Sequence, residues 1–400
     1  MKNKLWIFPA MLLIGLMGLL SCNPAQEEQI YEDYAWTSEI RKDHPRLFFN
    51  KSSFPEIKQR ALNEEQAVFE EMKNRVDELI GKKIEFKEPL AEDGTLTRAH
   101  RYGTRSAEAA FVYLVTEDKK YLDLSKTILT ELIDYYQLRN KHDLNINWYA
   151  FSRINALAAY DWIYNDLTDK ERREIGTPLF QSIHYMIPAG DPENRRSVFR
   201  RNNGGIKTGF YGPPCLPWYA GLVFYQEGID DSLSRQLLLK GYDDHTALLE
   251  YRSNIAGDDG GAATGALNYC MGAYPWAEFN FFHTFHSATD LDIAEEWLYV
   301  PRFINYVFWN WLPRDRQFGY GDQPHIDNKL SLRLLHLHLS QMTHFFGDIQ
   351  PDLISRAKWM RQKVKKRTQG SFPFTQCLLT NTYEDIQSLP PSESTPNARH

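Results

Sequence analysis

Four hundred residues, 42% of them hydrophobic, suffice for one large core or two domains. The formal charge of −6 argues against a general affinity for nucleic-acid backbones. Aromatic residues make up 14% of the chain, and an excess of Tyr and Trp suits sugar rings, whose C–H faces pack on flat π systems, as well as a core.

The first predicted element is a secretory signal. Lys2 and Lys4 precede an apolar run from Leu5 to Leu20, which closes on Leu19-Leu20-Ser21-Cys22. The run is short for a spanning helix and contains Pro9, which weakens the transmembrane alternative. A cysteine directly after Leu-Leu-Ser resembles a bacterial lipobox, so residues 1–21 are expected to be removed and Cys22 to carry the lipid. By the same resemblance, Asn23 and Pro24 in place of an acid favour the outer membrane, with a periplasm-facing anchor as the alternative. Residues 22–43 read as a polar tether.

His44-Pro45-Arg46-Leu47-Phe48-Phe49 is expected to be extended, since a residue before Pro is pushed away from helix. Ser52 or Ser53 should cap a helix over 54–61. The next, over 65–80, carries Val68, Phe69, Met72, Val76 and Leu79 on one face. Helices are then predicted over 104–114, 120–136, 148–164 and 170–189. Leu122, Leu124, Ile128, Leu129 and Leu132 make a broad apolar stripe in the second of these, and Ala156, Ala158 and Ala159 allow close packing in the third. Asp166-Leu167-Thr168-Asp169 ends that helix and caps the fourth, with acids well placed at its start. Later helices are predicted over 218–225, 232–251, 275–285, 293–311, 330–345 and 351–366. No run shows sustained period-two alternation, so the fold class is all-α. From Thr375 the text turns to coil, and Pro390, Pro391 and Pro396 make 375–400 read as a linker toward a further domain.

Two Gly-rich stretches interrupt the helical pattern. The first runs Arg200-Arg201-Asn202-Asn203-Gly204-Gly205 into Phe210-Tyr211-Gly212-Pro213-Pro214, and the second, Gly257-Asp258-Asp259-Gly260-Gly261, leads to Asn268-Tyr269-Cys270. Loops held by a helical scaffold are where binding and catalysis concentrate, so the two are expected to meet at one carbohydrate site. The competing reading makes both ordinary helix connections whose glycines supply positive φ. Cys215, Cys270 and Cys377 match no zinc or redox spacing and read as buried thiols, with a Cys215–Cys270 pairing as the alternative.

Several segments together resemble the helical part of the heparinase II/III-like polysaccharide lyases. They are His44-Pro45-Arg46-Leu47-Phe48, Tyr160-Asp161-Trp162-Ile163-Tyr164 with Leu167-Thr168, and Gly319-Tyr320-Gly321-Asp322. The resemblance implies an incomplete (α/α) toroid of helical hairpins over 44–374, with the family's C-terminal β-sandwich absent from this chain. It also implies cleavage of uronic-acid polysaccharides by β-elimination. That reaction needs a group to neutralise the uronate carboxylate, a base for the C5 proton and an acid for the leaving oxygen. Asn203 best matches the family's neutraliser, with Asn202 second, and Tyr269 best matches its proton-transfer tyrosine, with Tyr274 in reserve. The competing readings are a turn amide bonding its own backbone and a core phenol.

Two departures from the family stand out. Asn203-Gly204 and Gly205-Ile206 lack the usual His, and the sandwich that carries a further catalytic His and a His-x-His metal cluster is not in the chain. No cofactor is therefore expected here, and His336-Leu337-His338, inside an apolar helical run, reads as packed helix.

Softer candidates surround this pair. Arg201, with Arg195, Arg196 and Arg200, could hold acidic sugars as bidentate donors, or simply form a solvated basic loop. Tyr211 joins them as a substrate contact. Trp148 and Arg153, beside Tyr149, offer a stacking platform and an anion contact, or core packing. Asp258 and Asp259 would serve a glycoside hydrolase on a similar toroid, or cap helices. The expected partners are an acidic polysaccharide and, through the lipid, a membrane, with no nucleic acid. The expected activity is that of a polysaccharide lyase, with a non-catalytic glycan binder as the other alternative.

Overall fold

A computed structural model describes residues 34–390 apart from 145, 148, 188–209, 211, 262–266, 273–274, 319–328, 365–369 and 381–385. The first half carries helices α1 (Phe54–Leu62), α2 (Gln66–Asp77), α3 (His100–Thr116), α4 (Lys119–Lys141), α5 (Phe151–Ile163) and α6 (Asp169–Met186). The second half carries α7 (Leu216–Phe224), α8 (Asp231–Ile255), α9 (Leu267–Gly272), α10 (Pro275–Thr289), α11 (Tyr299–Asn310), α12 (Leu332–Phe346), α13 (Pro351–Gln362) and α14 (Thr375–Leu378). Among the described residues the strands are limited to an antiparallel pair, Trp311–Leu312 with Arg316–Gln317. The all-α expectation holds.

The helices form where the apolar spacing placed them. Val68, Phe69, Met72 and Val76 of α2 and Leu122, Leu124, Ile128, Leu129 and Leu132 of α4 are buried. The α5 alanines, Ala156, Ala158 and Ala159, are fully buried and let α3 and α7 close on either side. Thr168 caps α6 in a reciprocal box: its hydroxyl accepts from the Glu171 amide while the Glu171 carboxylate accepts from the Thr168 amide. At α1 the cap differs from expectation. Asn50, not a serine, carries the turn, its Oδ1 accepting from the amides of Ser52 and Ser53 at 3.0 Å each.

Helix contacts run mainly between neighbours and next neighbours: α3 on α2, α4 and α5, α5 on α7, α7 on α8, and α12 on α13. Gly241 of α8 meets α7 backbone to backbone, since a Cβ there would collide with the amide of Trp218.

The two ends of the described chain are stitched into this body. Leu47 accepts a hydrogen bond from Trp162 Nε1 at 2.9 Å, and Phe374 packs edge-on against the same indole. The expectation of a linker from Thr375 onward is corrected for residues 375–379. Cys377, Leu378 and Leu379 are buried, and Arg60 donates to the carbonyls of Cys377 and Leu378 at 3.0 and 3.1 Å. Further on, Leu389 N–H bonds the Ser355 carbonyl and Lys358 bonds that of Ile386. Apolar Phe372, Phe374 and Leu378 outweigh the turn-like composition around them, because burying such side chains stabilises by about 1.5–3 kcal/mol apiece.

Cys215, Cys270 and Cys377 are buried thiols that form no disulfide among the described residues, so Cys215 and Cys270 are not bonded to each other. Burial pushes the Cys215 thiol up to about 12, so it carries no thiolate at neutral pH.

Candidate functional site

A cavity of about 630 Å³ opens where α2, α3, α5, α10 and α12 come together with the 370–375 segment. Its cationic wall comes chiefly from α3, where Arg101, Thr104, Arg105 and Glu108 follow one another at i, i+3, i+4 and i+7 and so share one helix face. Gly103, on the next face, lets this helix touch α5 at Ser152, where a Cβ would strike the Ser152 carbonyl. That approach brings Phe151 to the rim. Arg75 enters from the last turn of α2, and Arg333, Leu334, Leu337 and Gln341 come from one side of α12. Asn280 of α10 and Gly370-Ser371-Phe372-Pro373 complete the lining. The last segment is held in place by Asn155, which donates to the Ser371 carbonyl at 2.8 Å.

Among the described residues the lining carries four arginines and one glutamate, in a chain that is net negative. Glu108 is fully buried and takes Arg75 on Oε1, with N–O distances of 2.6 and 2.9 Å, and Arg105 on Oε2. The acid therefore fixes two guanidinium forks rather than serving as a free base. Arg101 is exposed and makes no ion pair among the described residues. Burial pulls Arg333 below its ordinary value, yet a guanidinium keeps its proton throughout the working range of a protein. The guanidinium groups fixed by Glu108, and the exposed one of Arg101, share the lining with Phe151 and Phe372 and suit a flat, hydroxylated anion better than a nonpolar ligand.

Asn202, Asn203, Arg201, Tyr211, Trp148, Tyr274 and Cys22 lie outside the described residues, as do Arg195, Arg196 and Arg200. The side chain of Tyr269 does too, but its helix is placed. Asn268 bonds the Lys329 carbonyl through Nδ2 (3.0 Å) and takes the Ser331 amide on Oδ1 (2.7 Å), which pins α9 to the start of α12, two residues before Arg333.

Arg153 does not reach the cavity, which corrects its assignment as a sugar contact. It is 2% exposed, its Nη2 donates to the carbonyls of Asn147 and Tyr149 at 2.9 Å each, and no carboxylate pairs with it among the described residues. Its α5 position turns it inward under the rim that Phe151 forms. Asp259 acts as a turn residue: its Oδ1 accepts from the Gly261 amide at 2.9 Å while Gly260 adopts φ 72° against α11. His336 and His338 are buried on α12, the latter between the rings of Phe279 and Phe303. Among the described residues no group of three or more His, Cys, Asp or Glu could hold a metal ion, and no helix is long and apolar enough to cross a membrane.

Other buried polar groups serve the scaffold. His44 bridges Asp161 (2.5 Å) and Glu227 (2.9 Å), Arg46 bonds Glu227 at 2.9 Å, and Asp161 Oδ2 accepts the amides of Arg46 and Leu47. Burial pulls the His44 imidazole down, but the bonds from Asp161 and Glu227 outweigh it and leave it raised. On α10, Glu278 is paired with Arg252 and accepts from Tyr299 Oη at 3.0 Å.

No protein-family model matches the chain, and no curated protein matches it. The cavity residues were missed in the sequence reading, although α3 did carry a signal: three charged groups at helical spacing on a face that should otherwise be apolar or solvated. Asn280, an amide inside the aromatic run Phe279-Asn280-Phe281-Phe282, was a second. Arg75 and Arg333 carried none.

Proposed function

We propose that this protein binds an acidic polysaccharide in the arginine-lined cavity and cleaves it by β-elimination, with the helices arranged as an open ring of hairpins. The observation that carries the reading is the concentration of Arg75, Arg101, Arg105 and Arg333 around one concave site that also offers aromatic faces. In this reading the arginines hold the carboxylates of the chain, which orients the reacting sugar and raises effective concentration. Asn203 neutralises the carboxylate next to the C5 proton, and Tyr269 moves the protons. Helix α9, which bears Tyr269, abuts the start of α12 and thus the cavity wall. A lipid on Cys22 would keep the protein at a bacterial membrane.

Incubation with uronic-acid glycans tests this through the ultraviolet absorbance of unsaturated ends. The expected outcome is product formation that Tyr269→Phe abolishes through kcat, while Arg101→Ala raises KM about tenfold and leaves kcat near wild type. Saturated ends would instead identify a hydrolase. A second reading, binding without turnover, draws on the described lining, which presents no His or Tyr and whose single acid is occupied by two arginines. Saturable binding with no product of either kind would establish it.

A further inference from the structure

The arginines of the cavity differ in how much of each guanidinium the protein itself uses. Arg75 gives Glu108 Oε1 the whole lateral edge of its group, Nε at 2.9 Å and Nη2 at 2.6 Å. Its remaining nitrogen, Nη1, lies 3.7 Å from the half-exposed Glu71, a contact that solvent screens. Arg105 meets the same carboxylate in another way: Nη1 alone donates, to Oε2. Nε and Nη2 of Arg105, the edge that Arg75 uses up, have no partner among the described residues. Neither atom belongs to the sealed, unpaired polar atoms of the interior, so solvent reaches both. The side chain as a whole is 25% exposed and lines the cavity.

We infer that Arg105 is the specificity-determining residue of the cavity: its Nε–H and Nη2–H receive the two oxygens of one carboxylate and so select free uronates over their esters. The inference rests on the acidic-glycan reading and adds to it the group that reads the acid. The two N–H bonds of a lateral guanidinium edge are parallel and coplanar, which matches the two oxygens of a carboxylate. The fork is set in advance, because Nη1 is tied to a fully buried carboxylate that Arg75 holds from a second helix. Less freedom is therefore lost on binding. Charge points the same way. Arg75 and Arg105 bring two positive charges and Glu108 one negative, so the trio is left with a single positive charge, which one carboxylate offsets. An ester retains a carbonyl acceptor but has neither the charge nor the second equivalent oxygen. Arg101 is a different case. Exposed and without an ion pair among the described residues, it acts as a point charge that a lysine supplies as well.

The test titrates glucuronate and its methyl ester into the wild-type protein, Arg105→Lys and Arg101→Lys. In Arg105→Lys the ammonium still donates to Glu108, so the buried acid keeps its partner while the fork is gone. The wild type is expected to prefer the free acid by at least about tenfold. Arg105→Lys should lose about tenfold in affinity for the acid and nothing for the ester, and Arg101→Lys should stay within about twofold of wild type for both. A wild type that takes uronate polymer yet does not distinguish acid from ester overturns the inference alone. So does an Arg105→Lys that binds the acid like wild type, or an Arg101→Lys that loses as much. A loss in Arg105→Lys that falls equally on acid and ester, or that accompanies a melting temperature well below wild type, also overturns it, since that outcome assigns Arg105 to the scaffold. Failure of the wild type to bind glucuronate or any uronate polymer overturns the inference together with the reading beneath it.

Discussion

Glu108 shows how a single buried residue can shape the wall of a cavity. Its carboxylate is fully buried, while Arg75 and Arg105 reach it from two helices and retain 21% and 25% of their side-chain exposure toward the cavity. Removing one member of a buried, hydrogen-bonded pair leaves the other charges uncompensated, which outweighs the Coulomb energy of the pair itself. Glu108→Gln is therefore expected to lower stability by roughly 1–3 kcal/mol, read from the denaturant midpoint, the partial exposure of both arginines keeping the loss below that of a fully sealed pair. A midpoint equal to wild type would mean that the two guanidinium groups are held by water alone. Arg153 is the contrasting case. It was expected to face substrate because it begins a helix beside Trp148, but two backbone carbonyls claim it instead.

Between elements, the decisive contacts are those that bring helices to their spacing. Gly241 lets α8 lie directly on the Trp218 backbone of α7, so Gly241→Ala must push the two apart; a loss of roughly 3 kcal/mol is expected in equilibrium unfolding. The His44 network ties the leading segment to α5 and to the turn after α7, and its pH dependence has two arms. His44 is raised in the folded protein, so its contribution is complete below its ordinary 6.5 and is lost as pH rises through the higher folded value. For Glu227, burial pushes the carboxyl up, but the His44 bond and charge, with Tyr164 and Arg46, hold it below its ordinary 4.5. Its contribution is complete above 4.5 and fades as pH falls through the lower folded value. The network is thus strongest between about pH 4.5 and 6.5. Melting temperature measured from pH 6 to pH 9 should fall more in wild type than in His44→Gln; parallel curves would show that the imidazole is uncharged throughout.

At the scale of the whole molecule, the charge pattern separates two questions that composition merges. The chain is net negative, which disfavours polyanions in general, yet the cavity gathers positive charge where field lines focus between low-dielectric walls. The site is therefore built by folding. Residues from 75, 101–108, 151, 280, 333–341 and 370–375 meet there, and the 370–375 wall is held as Phe374 docks on Trp162 and Phe48 and Asn155 bonds Ser371.

What the amino-acid sequence determined by itself was local. Apolar residues at helical spacing set α2 and α4, Thr168 and Glu171 set the start of α6, and the scarcity of alternating runs set the all-α class, because each of these depends on neighbours within a turn or two. The α3 face of Arg101, Arg105 and Glu108 was equally local and could have been read the same way. The tertiary structure alone decided which faces meet: that Arg333 joins Arg101, that Asn280 and Gln341 share a wall, that Arg153 turns inward, and that the stretch after Thr375 packs against α1 and α2. Such choices depend on long-range packing of helices against one another, and no spacing along the chain encodes the distance between two residues hundreds of positions apart.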